Sequence, residues 1–383
     1  MSDARSEERV VERVWYGAGA GERAARLALL PLEALYAGVS AARGALYDAG
    51  LLRASETAVP ALAVGNLTVG GTGKTPVAAW LAAELRARGA RPAIVLRGYG
   101  ADEPLVHETL NPDVPVVVAA DRVLGAGRAR VLGADVVVLD DAFQHRRARR
   151  VADVVLLSAD RWTPRRRHLL PAGPWREPLA ALRRASLALV TRKAVTLAHA
   201  EAVLAAATAA APGVHGGVAL LAPGDLVPAP VAGGDAGERP APRPLASIDG
   251  ARVLAISAIG DGGAFHAQLV AAGARLEPPP AAYPDHHAFT DAEVARLARD
   301  AERAEIVVCT LKDAVKLAPR WPRAGPPLWY VSQRVVLERG REAVDRLLET
   351  VLAARDRAVS PAHDAFSPKT AGARRPTDLP DAD

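Results

Sequence analysis

A single cysteine, Cys309, occurs in 383 residues. That excludes a disulfide within the chain and any cysteine-rich zinc site. Aromatic residues make up 4% of the chain, and no basic stripe is interleaved with them. A nucleic-acid surface built on base stacking is therefore not expected. The formal charge is only +5, from 48 basic and 43 acidic residues, too small an excess to argue for a polyanionic partner. Lysine is scarce: five of the 48 basic residues, at Lys74, Lys193, Lys312, Lys316 and Lys369. In a chain so rich in arginine and alanine, each lysine is a pointer to chemistry. No uninterrupted run of 18 apolar residues occurs, so no transmembrane helix is expected. Residues 1–13 carry charges of both signs and lack the basic-then-apolar order of a signal peptide.

What is present is a globular composition, half hydrophobic and 24% charged, long enough for two domains at ~150 residues each. Residues 26–52 have helical periodicity, with Leu32, Leu35, Tyr36, Val39, Leu46 and Tyr47 near one face. Pro31, Glu33, Arg43 and Asp48 interrupt the segment, and Arg23, Arg26, Arg43 and Arg53 flank or punctuate it. The pattern alone favours packing on the chain's own core, with a membrane interface as the alternative. After Pro60, apolar runs alternate with helical stretches, the signature of an α/β sheet. Strands are expected at 61–65, 93–97, 114–119, 134–139 and 154–158, then at 187–191, 218–221, 253–258, 306–310 and 328–331. Helices are expected at 76–89, 122–132, 198–211, 263–272, 291–302 and 341–355. Residues 223–244, rich in proline, glycine and alanine, read as a surface loop. Residues 358–383 read as a disordered tail.

The strongest local signal is Gly65-Asn-Leu-Thr-Val-Gly-Gly-Thr-Gly-Lys-Thr75, between an expected strand and helix. This is the context of a phosphate-binding loop. Thr68, Val69, Gly70, Gly71, Thr72 and Gly73 would line it, with glycines letting backbone amides approach phosphate oxygens. Lys74 would reach the β- and γ-phosphates, the Thr75 hydroxyl would ligate Mg²⁺, and Pro76 would open the helix. Thr68 stands where the common pattern has its first glycine. Val69 stands where partitioning ATPases carry a second lysine, which argues against that branch. A second signal is the apolar run 136–139 ending in Asp140 and Asp141, a strand that would deliver one of the two carboxylates to the metal.

The chain resembles the lipid A 4'-kinase family, the tetraacyldisaccharide 4'-kinases. The resemblance rests on the phosphate loop through Pro76, then Leu96-Arg-Gly-Tyr-Gly100, Asp102-Glu-Pro104, Asp140-Asp-Ala-Phe-Gln-His145 and Leu170-Pro-Ala-Gly-Pro-Trp-Arg-Glu-Pro178. Pro31-Leu-Glu-Ala-Leu-Tyr36, Asp285-His-His-Ala-Phe289 and Lys312-Asp-Ala-Val-Lys316 add weaker matches, all in the family's order over residues 14–352. It implies two α/β/α units, one P-loop NTPase-like and one Rossmann-like, with the active site between them and an N-terminal amphipathic helix. The expected division is a membrane-associated helix region at 14–53, a kinase domain at 54–186, a smaller α/β domain at 187–338, a C-terminal helix at 339–357 and the tail at 358–383.

The activity implied is transfer of the γ-phosphoryl of ATP, with Mg²⁺, to the 4'-hydroxyl of a tetraacyl disaccharide 1-phosphate, giving lipid IVA. Partners would be this lipid and the cytoplasmic face of the inner membrane, for a chain acting as a monomer. The implied base is Asp102, paired with His286; Lys74, Asp140 and Asp141 complete the catalytic set. Thr75, Asp141 and Glu103 would serve the metal. Arg97, Tyr99, Arg122, Gln144, His145 and Arg176 would meet substrate or phosphates. Three departures from the family pattern stand out. Ala142 replaces a glycine, which would strain a backbone with positive φ. An excursion of some twenty residues before Asp102 is missing, and Leu311 replaces a glutamate. The reading of another class is a membrane-associated NTPase switch or metallochaperone-type GTPase, which shares the phosphate loop but not the later motifs.

Overall fold

The computed structural model describes residues 10–98, 100, 102–163, 167–230, 240–285, 287–322 and 325–359. Tyr99, His286 and residues 360–383 of the expected tail fall outside them. The strands are β1 (Ala61–Asn66), β2 (Pro92–Leu96), β3 (Val116–Val118), β4 (Val136–Leu139), β5 (Ala152–Ser158), β6 (Leu187–Arg192), β7 (His215–Pro228), β8 (Val253–Ser257), β9 (Ala281–Ala282), β10 (Ile306–Thr310) and β11 (Leu328–Arg339). They form one sheet in the order β3-β2-β4-β1-β5-β6-β7-β11-β10-β8-β9. Every residue of β1, β2 and β4 is buried. Unbroken apolar strands of this kind belong to a parallel sheet covered on both faces.

The helices are α1 (Ala20–Asp48), α2 (Lys74–Ala87), α3 (Asp102–Leu110), α4 (Arg122–Val131), α5 (Leu197–Ala210), α6 (Gly262–Ala271), α7 (Asp291–Ala301), α8 (Leu311–Leu317) and α9 (Arg341–Val359). One face of the first parallel block packs Leu62, Val64 and Val138 against Val77, Leu81 and Leu85 of α2. Val344, Leu348 and Val351 of α9 join the same cluster, so the end of the chain returns to the beginning. The opposite face packs Ala61, Val95, Val137 and Leu139 against Ala126 and Ala129 of α4. Each leucine buried in this way contributes roughly 1.5–3 kcal/mol.

The two parallel blocks, β1 to β6 and β8 to β11, are joined by a long antiparallel ribbon. β7 pairs in parallel with β6 and antiparallel with β11, over Trp329↔Pro228 to Arg339↔Val218. This corrects the expected loop at 223–244: its first part, through Pro228, is strand, because the ladder with β11 outweighs local proline and glycine content. The sheet also runs without a break across the boundary expected at 186/187, where β5 and β6 pair in parallel. Helix α3 of the first block packs against α8 of the second. That contact brings together the segments that follow β2 and β10.

Helix α1 runs through Pro31 rather than stopping there. By length and composition it could cross a membrane, with an 18-residue window of mean hydropathy 1.2, although no uninterrupted apolar run of that length occurs in it. The expected apolar face divides: Leu32, Leu35 and Val39 do not pack on the core, whereas Tyr36 and Tyr47 turn to the body. Leu27, Leu32, Leu35 and Val39 are all more than half exposed. Its other side is polar and bonded to the body. Glu33 accepts hydrogen bonds from His168 Nδ1 and Leu169 N, and Tyr36 Oη donates to the Arg176 carbonyl at 2.9 Å. The guanidinium groups of Arg43 and Arg146 both lie over the Tyr47 ring, 5.2 and 5.0 Å from its centroid.

Candidate active site

The sheet order places β1 beside β4, in parallel register with Ala63 opposite Leu139. The loop after β1 and the acidic pair after β4 therefore emerge side by side. Gly65, near the end of β1, is required by close approach: a β-carbon there would lie 2.5 Å from the Phe143 β-carbon. Gly73 has φ +84° and caps α2, and a β-carbon there would meet Leu221 at 2.4 Å. Pro76 sits in the first turn of α2, where its missing N–H costs nothing.

The loop is held from three sides. Asn66 Nδ2 donates to Thr72 Oγ1 at 3.0 Å, and Thr191 Oγ1 donates to the Thr72 carbonyl at 2.9 Å. Val69 N donates to Pro174 O, and Arg176 N donates to Leu67 O, each at 2.7 Å. The 170–178 motif thus forms a short ladder with the loop's first limb, with Thr68 bridged to Trp175. Asn66 was not singled out from the sequence, although its place directly before the loop was the available signal.

The acidic pair divides its work. The Asp141 carboxylate lies 3.7 Å from Lys74 Nζ and accepts from Arg176 Nη1 at 3.1 and 3.3 Å. Asp140 turns the other way. Its Oδ2 is 2.9 Å from Nε2 of His107, and its Oδ1 accepts from Asp141 N at 2.8 Å. Burial pushes the Asp140 carboxyl up, but the hydrogen bond and charge of His107, the Lys74 charge and the Asp141 amide together hold it below its ordinary value. Among the described non-glycine residues only Asp141 has a positive φ, +49°. The strain considered for Ala142 therefore does not arise: Ala142 is fully buried with an ordinary φ.

Asp102 is buried at the first position of α3, with Glu103 partly buried beside it. Arg122 does not point its described bonds at the phosphate loop. It is buried and donates to the carbonyls of Ala119, Ala120 and Asp140, each at 3.2 Å. Gln144 Nε2 donates to Asn66 O and to Glu177 Oε1. His145 is half-buried, and burial and the neighbouring Arg122 hold its imidazole below the ordinary value. Arg97 lies just beyond β2 on the same side as the acidic pair. Next to the undescribed His286, His287 stacks on Tyr283 and bonds Glu293. Leu311 opens α8, whose Thr310 cap and Lys316 both engage the buried Asp313. Leu311 itself packs on an apolar cluster, which is a structural place for a side chain without charge.

Among the described residues no group of three or more His, Cys, Asp or Glu forms a metal cage. One carboxylate, Asp141, and one hydroxyl, Thr75, fit Mg²⁺ when phosphate oxygens complete its shell, the usual arrangement for that ion.

Fold and site together define a nucleotide-dependent phosphotransferase, with a glycine loop and an acidic pair at adjoining strand ends. The sequence profile of the LpxK family, tetraacyldisaccharide-1-P 4'-kinase, matches residues 25–103 and 100–353. The chain belongs to that family. The match is split at the very place where the excursion before Asp102 is missing. The chain is 40% identical to a tetraacyldisaccharide 4'-kinase of Anaeromyxobacter sp. (strain Fw109-5), over 91% of this chain and 98% of the relative. It is 39% identical to one from Halorhodospira halophila, over 82% and 90%. The crystal structure of LpxK from Aquifex aeolicus in complex with ATP superposes with a TM-score of 0.65, at 28% identity, covering 86% of this chain and 99% of that one.

Proposed function

We propose that the chain transfers the γ-phosphoryl of ATP to the 4'-hydroxyl of a tetraacylated disaccharide 1-phosphate, giving lipid IVA. The observation that carries this reading is the approach of Lys74 to Asp141 at adjoining strand ends, with Arg176 closing the set. Phosphoryl transfer demands positioning and neutralisation of charge more than covalent chemistry. The backbone amides of the loop and Lys74 would hold the β- and γ-phosphates. Thr75 and Asp141, with Glu103 assisting, would hold Mg²⁺, which supplies Lewis-acid neutralisation of the phosphate oxygens when bound. Asp102 would take the proton of the sugar hydroxyl, with His286 as its orienting partner. Arg97, Tyr99 and Arg176 would meet the substrate's phosphate or sugar, and a guanidinium suits a phosphate bidentately. The contact of α3 with α8 supports a site closed between a first unit of residues 54–186 and a second of 187–338. The chain would act as a monomer.

Incubating the protein with γ-labelled ATP, Mg²⁺ and the lipid in detergent tests the reading. Label is expected in the lipid; hydrolysis without lipid labelling would overturn it. In the same assay Asp102→Asn should lower turnover by about 10²–10⁴-fold, the range for a general base. ATP affinity should be retained, and unchanged turnover would remove Asp102 from the role.

We also propose that α1 lies on the cytoplasmic face of the inner membrane. Its exposed stripe would enter the interface while Glu33, Tyr36 and Arg43 stay on the site loops. Basic side chains near the helix, Arg23 and Arg53, suit an anionic surface. Changing Leu27, Leu35 and Val39 together to serine should release the protein from anionic vesicles in flotation without altering its melting. Retained flotation would place the membrane contact elsewhere.

A further inference from the structure

His107 is fully buried on α3, and its Nε2 is 2.9 Å from Asp140 Oδ2. Its other ring nitrogen, Nδ1, is buried and has no hydrogen-bond partner among the described residues. An imidazole that leaves one buried nitrogen unpaired carries a cost that packing alone would not require. The bond it does make goes to a residue with every polar atom engaged. Asp140 N donates to Val95 O, its carbonyl accepts from Arg122, and Oδ1 accepts from Asp141 N. That last bond fixes the amide of Asp141, the residue held at φ +49° whose carboxylate faces Lys74 and Arg176.

The same histidine ties down α3. The helix opens with Asp102 and Glu103, and His107 lies five residues on, about 7.5 Å along the axis at 1.5 Å per residue. Only residues 97–101 connect it to β2, because the family's longer excursion is absent. The bond to Asp140 anchors that helix to the turn after β4.

We infer that His107 is a positioning residue: through Asp140 it fixes the turn that aims Asp141 at the phosphate loop, and it pins the helix that begins with Asp102 to that turn. The inference rests on the kinase reading for its effect on turnover, but not for its effect on nucleotide binding. His107 acts through Asp140 and does not touch substrate. Partners that orient a metal-binding carboxylate are typically worth 10–100-fold in metal affinity or activity.

The test compares His107→Leu with His107→Gln, whose amide can reach the same oxygen. Binding of ADP is measured by calorimetry with and without Mg²⁺, in the absence of lipid. Turnover is measured separately. His107→Leu should weaken Mg·ADP binding about 10-fold and lower kcat by about 10–100-fold. Metal-free ADP affinity and lipid KM should stay near wild type, while the melting temperature of His107→Leu falls because Asp140 Oδ2 loses its partner. His107→Gln should recover most of both losses. Mg·ADP affinity and kcat of His107→Leu within twofold of wild type would overturn the inference, as would a Gln variant as impaired as the Leu variant. Should His107→Leu fail to fold, His107→Asn takes its place, because its shorter amide cannot span to Asp140; Asn and Gln variants of equal Mg·ADP affinity would again overturn it. The binding arm stands even if the lipid were not the acceptor.

Discussion

Replacing Lys74 by alanine is expected to lower phosphoryl transfer about 10³-fold, ~4 kcal/mol of transition-state stabilisation. Lys74 is the first residue of α2, behind the left-handed Gly73 that caps the helix. Its ammonium is largely withdrawn from solvent, with 18% side-chain exposure, and reaches Asp141. In such a site a cation acts in lower dielectric than water and needs no reorganisation as charge builds on the transferring group. Alanine is the best helix former, and the apolar contacts of α2 begin only at Val77, so the variant should fold with an unchanged melting temperature. Lys74→Arg should not restore the rate, because a planar fork does not substitute for a compact ammonium. Lipid KM should be unaffected, since Lys74 belongs to the nucleotide side. Turnover within tenfold of wild type, measured with labelled ATP, would remove the loop from the chemistry.

Asp141→Asn is expected to cost about 10²–10³-fold, the scale for loss of one electrostatic group at a reacting centre. Asparagine is the informative choice. Asp141 holds φ +49°, a region that asparagine tolerates and most residues do not. The variant therefore keeps the turn and loses the charge. Lys74 and Arg176 would then face each other's positive charge without the carboxylate between them. Weaker Mg²⁺ dependence of ATP binding should accompany the loss in rate. Asp141→Ala should lose as much activity and, unlike asparagine, melt at lower temperature. An alanine in the left-handed region costs about 1–2 kcal/mol. Equal melting of the two variants would show that the backbone there is unstrained.

The strand–loop–helix unit was legible because its determinants are local. A fully apolar run, glycines at the positions of positive φ and close approach, and a lysine directly ahead of the helix lie within residues 61–76. Most other strands of the sheet were legible for the same reason, since buried parallel strands are short continuous apolar runs. Helix α3 was not. Its sequence Asp102–Leu110 contains Pro104 and only weak periodicity, and it is held by packing on α8, two hundred residues away. With the helix unread, His107 had no signal at all. The end of β7 was misread because Pro223, Gly224 and Pro228 speak locally for a loop, while the ladder with β11 that overrides them is a long-range contact. The stripe on α1 was visible, but its periodicity could not tell a core from a membrane.

The sequence by itself determined the chemistry: a glycine loop with Lys74 and Thr75, two carboxylates after an apolar strand, and an ordered set of motifs that place the chain in its family. The resemblance already gave Asp141 to the metal; only the tertiary structure decided which way each carboxylate faces. Asp141 is turned toward Lys74 and Arg176, and Asp140 toward His107 and the backbone, because those partners arrive from α2, the 170–178 loop and α3 rather than from the neighbouring sequence. The same holds for the scarce lysines: composition made all of them conspicuous, but only packing brought Lys74 to the acidic pair and set Lys316 against the buried Asp313. Spacing along a chain fixes which groups are available; the direction each one faces is set by contacts between segments that the spacing does not encode.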